Sequence, residues 1–214
     1  MTSDKRLIDE RFPRSSKYHP EWIITSASGG ANALWLTEWL TTALDLYPNI
    51  RVLDLGCGRA SSSIFLRREF GVQVWATDLW FSASENLQRI RDAGVEDGVF
   101  PIHADARSLP FATEFFDVTV CIDSFPYFGT DDLYLSYLAR FVKPGGSIAT
   151  AGAGLTREIE GSLPDGSVSK VDLQVSHQHP KLIAVDKEAN DEIMHPHRLG
   201  EADGLACQSL NPCT

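Results

Sequence analysis

Four aspartates and two glycines carry most of the chemistry that this sequence can do. Asp54, Asp78, Asp105 and Asp123 fall at or beside the ends of short apolar runs: "RVLDL" (51–55), "VQVWATD" (72–78), "VFPIHAD" (99–105) and "FDVTVCID" (116–123). Gly56 and Gly58 follow the first run, in "DLGCGRASS". Such glycines let the main chain approach a ligand with no Cβ in the way and take torsions that other residues resist. The helix expected after them begins with free N–H groups. A pyrophosphate suits those groups, and dinucleotide sites space their glycines GxGxxG. Here Ser61 stands where the third glycine would be, and Asp54 would set a like charge beside a pyrophosphate. A cationic ligand suits the acid better. A plain tight turn is the other reading of the glycine pair.

Asp78 lies about 20 residues beyond the glycines, where a carboxylate can accept from both hydroxyls of a ribose. A helix N-cap is its alternative role. Asp105, in "HADARSLPF" (103–111), can accept from an adenine amino group while the next backbone N–H meets a ring nitrogen. An ordinary turn is the alternative there.

These acids need a scaffold that brings strand ends together. "SSSIFLRREFG" predicts a helix stopped by Gly71, and "SASENLQRIRDAG" (82–94) predicts an amphipathic helix with a serine start and a glycine end. Thr130 is expected to cap "DDLYLSYLARFV", "KPGG" to break that helix, and "SIATAGA" (147–153) to form a fifth strand. Upstream, "ANALWLTEWLTTALDLY" (31–47) reads as a helix. Strands alternating with helices predict an α/β fold, a mainly parallel sheet flanked by helices. Parallel sheets bind ligands outside the carboxyl ends of their strands, at the switch in strand order.

Length and charge narrow the function. The 214 residues suit one domain with a sizeable core and an appendage. Net charge is −10, and no Lys/Arg-rich run interrupts it, so a phosphate backbone is a poor partner. Cys57, Cys121, Cys207 and Cys213 show no CxxC spacing, which argues against a zinc ribbon or a disulfide framework. "HQH" (177–179) and "HPH" (195–197) invite a metal reading, but histidines two apart on a strand point to opposite faces, and no metal site is expected. With no signal-peptide core and no apolar run of membrane-spanning length, the chain reads as a cytoplasmic protein without membrane insertion.

Five blocks in order, "VLDLGCGRA", "VWATD", "HADARSLPF", "FDVTVCIDSFPYF" and "FVKPGG", resemble the class I S-adenosylmethionine-dependent methyltransferases from about Ile50 to Gly154. The nearest group is the small-molecule one that includes the ubiquinone/menaquinone-pathway enzymes. The resemblance implies a Rossmann-like methyltransferase fold and S-adenosylmethionine as cofactor. It places Asp54, Gly56 and Gly58 around the methionine end, Asp78 at the ribose hydroxyls and Asp105 with Ala106 at adenine, with Cys57 and Leu79 also among the cofactor-binding residues. Asp123 falls near the methyl group and the substrate. Asp123, Tyr127 and His19, with Tyr18 beside it, are the candidates for a general base. Family members that methylate base amino groups carry an NPPY-type motif where this chain has "DSFP". The implied substrate is therefore a small molecule.

The last quarter departs from that pattern. No aromatic residue follows Phe141, and from Ser162 onward eight acidic residues face four basic ones. Family members follow the fifth strand with a helix and two further strands; here only "KVDLQVS" and "KLIAV" suggest a hairpin. The expected organisation is an N-terminal helical cap (1–49), a cofactor-binding core (50–154) and a divergent, partly disordered tail (155–214). The C-terminal part of the sheet is expected to be atypical or incomplete. Two alternatives to catalysis stand beside the methyltransferase reading: a non-catalytic cofactor-binding or scaffold module, and an NAD-dependent oxidoreductase.

Overall fold

The computed structural model describes residues 8–18 and 32–152, and the backbone of 207–209. In chain order the elements are α1 (Ala33–Thr41), β1 (Arg51–Leu55), α2 (Ser61–Phe70), β2 (Gln73–Asp78), α3 (Ala83–Asp92), β3 (Val99–His103), β4 (Phe116–Ile122), α4 (Tyr134–Ala139), β5 (Val142–Ala151) and β6 (Cys207–Ser209). They form one sheet of order β3-β2-β1-β4-β5-β6. The first five strands run parallel, and β6 pairs antiparallel with Ser147–Ala149. The order reverses between β1 and β4, so the crevice of a doubly wound sheet opens at their carboxyl ends.

The strands read as nearly continuous apolar runs because both faces of the sheet are covered. Along β1 the side chains alternate between two cores. Val52 joins Ile64, Val74, Ile90 and Val118 on one face, while Leu53 and Leu55 join Phe116, Tyr134, Leu138 and Phe141 on the other. Phe12, Trp39 and Leu40 from the N-terminal segment pack into the first core. That segment is anchored at Glu38, whose buried carboxylate accepts from the N–H groups of Arg14 (3.0 Å) and Ser15 (2.7 Å).

Three boundaries differ from expectation, each for a local reason. The helix predicted over 31–47 is regular only to Thr41. Thr41 and Thr42 hydroxyls bond back to the carbonyls of Glu38 and Trp39, and the N–H groups of Thr42, Ala43 and Leu44 tighten to three-residue bonds. Thr130 does not cap α4. Asp131 instead folds a turn, accepting from Leu133 N through its side chain and from Tyr134 N through its carbonyl, so the helix starts later. Finally, "KPGG" lies within β5: Val142 already pairs with Phe116, and the register then shifts so that Ser147 faces Val118. Gly145 at φ +78° and a Lys143–Asp117 ion pair of 2.6 Å accommodate the irregularity.

The "KVDLQVS…KLIAV" hairpin and both histidine pairs lie outside the described residues. The sixth strand is just three residues long, from a stretch without hydrophobic periodicity. No helix among the described residues is long and apolar enough to cross a membrane.

Candidate active site

The first strand ends in a turn held from three sides. The N–H groups of Gly56 and Cys57 both donate to the carbonyl of Thr77, at 2.8 and 3.1 Å. Gly58 N donates to Asp78 Oδ2 at 2.8 Å, and Asn86 Nδ2, from α3, donates to Gly58 O at 2.9 Å. The two glycines have different reasons to be glycine. At Gly56 (φ +73°) an added Cβ would collide with the side chain of Ser124, whose hydroxyl donates to Leu55 O at 2.7 Å. At Gly58 (φ +54°) an added Cβ would meet nothing within 4 Å, so that residue faces open space. Close approach at Gly56 is thus to the protein's own β4 connection.

A cleft opens above the turn. Among its walls are Gly56, Gly58, Asp78, Leu79, Asp105, Ala106, Asp123 and Tyr127, all singled out from the sequence. Asp78 is buried and accepts on Oδ1 from Trp80 N (2.7 Å) and Phe81 N (3.0 Å) besides its bond to Gly58. Asp105 accepts from Arg107 N at 2.8 Å, which bends the loop after β3. Asp123 closes β4 at φ +53°, a left-handed conformation uncommon outside glycine, with its N–H donated to Ala151 O. Backbone strain of this kind clusters at ligand sites.

Two residues expected beside the ligand lie off the cleft wall. Strand alternation turns Asp54 away from the mouth toward α2, where Ser62 and Ser63 hydroxyls each donate to Oδ2 at 2.6 Å. Its Oδ1 is buried without a hydrogen-bond partner. Burial pushes the Asp54 carboxyl up to about 6, against the lowering effect of the two serines, and the nearby Asp78 adds to the rise. Cys57 is also buried, and burial pushes its thiol well above its ordinary range. Tyr18 sits on the flank of α2, its ring 5.5 Å from Phe65 and its hydroxyl donating to Glu69 at 3.2 Å. His19 lies outside the described residues.

Trp80, Phe81 and Arg107 of the cleft, and Asn86 beneath it, escaped the sequence reading. Trp80 and Tyr127 are 69% and 60% exposed and meet edge to face with ring centroids 5.1 Å apart. Phe81 lies under the Arg59 and Arg89 guanidiniums, and Arg107 donates to Tyr127 O at 3.1 Å. Asn86 had a readable signal: it is polar yet stands four residues before Ile90 on the buried face of α3. Ser124 had none beyond its place next to Asp123.

A methyltransferase-domain family profile matches residues 52–146, which span the turn, the three cleft acids and β1–β4. Over that segment the chain is similar to the class I S-adenosylmethionine-dependent methyltransferases. Among its relatives, the methyltransferase GfsG of Streptomyces halstedii is 32% identical over 138 residues, 64% of this chain and 48% of that protein. The 27-O-demethylrifamycin SV methyltransferase of Amycolatopsis mediterranei is 26% identical over 200 residues, 87% of this chain and 72% of that one. A crystal structure from Galdieria sulphuraria, provisionally named a sarcosine dimethylglycine methyltransferase, superposes with a TM-score of 0.50 at 26% identity, covering 56% of this chain and 46% of that one. The chain spans about half the length of several curated relatives, including 48% of GfsG. S-adenosylmethionine is the cofactor of this methyltransferase family, and the dinucleotide alternative gains no support.

Proposed function

We propose that this chain transfers the methyl group of S-adenosylmethionine to a small-molecule nucleophile. One observation carries the reading: Asp78, Asp105 and Asp123, from three strand ends, line a single cleft with the side-chain-free turn at Gly56 and Gly58. Carboxylate walls suit a ligand bearing a sulfonium and an ammonium group. The open space at Gly58 fits a molecule lying against the backbone.

In this reading Gly56 and Gly58 face the methionine end, with Asp54 and Cys57 supporting the turn from beneath. Asp78 takes the ribose. A carboxylate has about four acceptor positions, and three backbone N–H groups already use part of that capacity. One ribose hydroxyl is therefore its natural load. Asp105 accepts from the adenine amino group, the N–H of Ala106 meets a ring nitrogen, and Leu79 covers the base.

The bound cofactor supplies an activated methyl carbon for in-line displacement. The protein's part is alignment and exclusion of water, which provide most of the rate when the donor is intrinsically reactive. Asp123 and Tyr127 stand at the β4 end of the cleft, where they can orient an acceptor or take its proton if it must lose one. His19 is the third candidate for that role. Small-molecule chemistry is supported by the net charge of −10 and by a relative named for 27-O-demethylrifamycin SV. A reducing cytoplasm is the proposed setting, supported by the free thiols of Cys57 and Cys121.

Calorimetry with S-adenosylmethionine, S-adenosylhomocysteine and NAD, followed by label transfer from a methyl-tritiated cofactor to a panel of small nucleophiles, tests the proposal. Binding of the first two ligands with turnover is expected. Binding without turnover on any acceptor would leave a non-catalytic module, and no binding would remove the cofactor site itself.

A further inference from the structure

Two tyrosines of α4 hold the backbone of the loop after β3 from behind the cleft. Tyr134 Oη donates to the carbonyl of Ala106 at 3.0 Å, and Leu109 N donates to Tyr137 Oη at 2.7 Å. Between those points run Ala106 and Arg107, which line the cleft, as Asp105 just before them does. The loop's own bonds are local: Arg107 N to Asp105 Oδ1 at 2.8 Å and Ser108 N to Asp105 O at 2.9 Å. Local bonds set the shape of a turn and leave its place in the molecule free. Ala104 N, bonded to Asp78 O at 3.1 Å, ties the beginning of the loop to β2. Arg107 reaches Tyr127 O from an exposed side chain. The buried fastening of the remainder comes from α4.

Tyr134 and Tyr137 are three residues apart and share one side of the helix. Their rings are wedged among aromatic neighbours, with Tyr134 5.4 Å from Phe128 and 6.0 Å from Phe125, and Tyr137 5.2 Å from Phe141. Desolvation raises the Tyr134 phenol above its ordinary range, so it stays a hydrogen-bond donor at any working pH. Rigid rings carrying hydroxyls at fixed points are suited to setting where a backbone stands.

The geometry points to Tyr134 and Tyr137 as positioning residues for the purine end of the cofactor, acting through the backbone of Ala106 and Leu109. This inference rests on the cofactor reading above. Neither hydroxyl touches the ligand, yet the pair determines where the Asp105 carboxylate and the Ala106 N–H stand. Phenylalanine at either position keeps the ring contacts and deletes the backbone bond alone.

The test compares S-adenosylhomocysteine with S-inosylhomocysteine, in which a carbonyl replaces the purine amino group, by calorimetry on the full chain. The parent is expected to prefer the adenine form. The Tyr134→Phe/Tyr137→Phe double variant is expected to lose about tenfold in affinity for the adenine form, with little change for the inosine form, so that the preference narrows. A merely structural role would lower the melting temperature and leave the ratio between the two ligands unchanged. A parent that binds S-adenosylhomocysteine and a double variant with the parent's ratio would overturn the positioning role while the cofactor site stands. A parent that binds neither ligand would remove the cofactor reading and the positioning role with it.

Discussion

On the β1–β2 side of the cleft, functional groups are held by backbone hydrogen bonds; on the β4 side they project from a strained residue and an exposed aromatic pair. Gly56, Gly58 and Asp78 are tied together through Thr77, Trp80, Phe81 and Asn86. Asp123 stands at φ +53°, and Tyr127 packs edge to face on the rim ring of Trp80. A surface built from backbone changes little when side chains change, which suits a cofactor shared across a family. A surface built from exposed side chains is free to differ from one acceptor to another. Under the proposed function, cofactor recognition falls to the first side and acceptor choice to the second.

The largest effect that would break this contrast comes from Gly56→Val. The new side chain meets Ser124 in a left-handed backbone, and a loss of roughly 4 kcal/mol of stability or more is expected. Binding of S-adenosylhomocysteine should fall below detection by calorimetry. A variant that folds and binds like the parent would remove the turn from the site.

Acidity sharpens the contrast beneath the turn. Asp54 is raised to about 6 in the fold from an ordinary 3.8, so the folded state holds its proton more tightly than the unfolded chain does. Its favourable contribution is fully present below 3.8 and disappears as pH rises through about 6. Relative to Asp54→Asn, the parent should therefore lose on the order of 3 kcal/mol between pH 4 and pH 7. Urea melts of both proteins across that range measure it, and parallel curves would show that Asp54 titrates normally.

Asp78→Ala is expected to weaken S-adenosylhomocysteine about tenfold, a loss of about 1.4 kcal/mol. Unchanged affinity in calorimetry would mean that Asp78 serves the turn alone. The smallest change is expected on the other side of the cleft. Tyr127→Phe should keep cofactor affinity within about twofold, less than 0.5 kcal/mol, and alter only transfer to the acceptor. A large loss of cofactor affinity there would erase the division between the two sides.

Much of the core was legible because its signals are local. Continuous apolar strands, Gly71 after α2 and Ser82 before α3 each announce an element within a few residues; Ser82 and Glu85 form a reciprocal cap. Boundaries slipped where a side chain competes with the backbone, at Thr41, Thr42 and Asp131, and where the register shifts around the left-handed Gly145. The strand-tip acids were legible because parallel topology gathers them at one edge. Asn86, Ser124, Tyr134 and Tyr137 were not, since each acts on a residue between 28 and 69 positions away and no spacing rule links such pairs.

The order of apolar runs, acids and glycines by itself determined that this chain forms a parallel sheet with a cofactor crevice at its switch point. That information resides in short-range periodicity and in which torsions a residue tolerates. Only the tertiary structure decided that Asp54 turns inward while Asp78, Asp105 and Asp123 face the cleft, and that Ser124 is what Gly56 must admit. Those outcomes depend on strand alternation, register and packing between distant elements, where a single ångström or a one-residue phase separates a wall from a core.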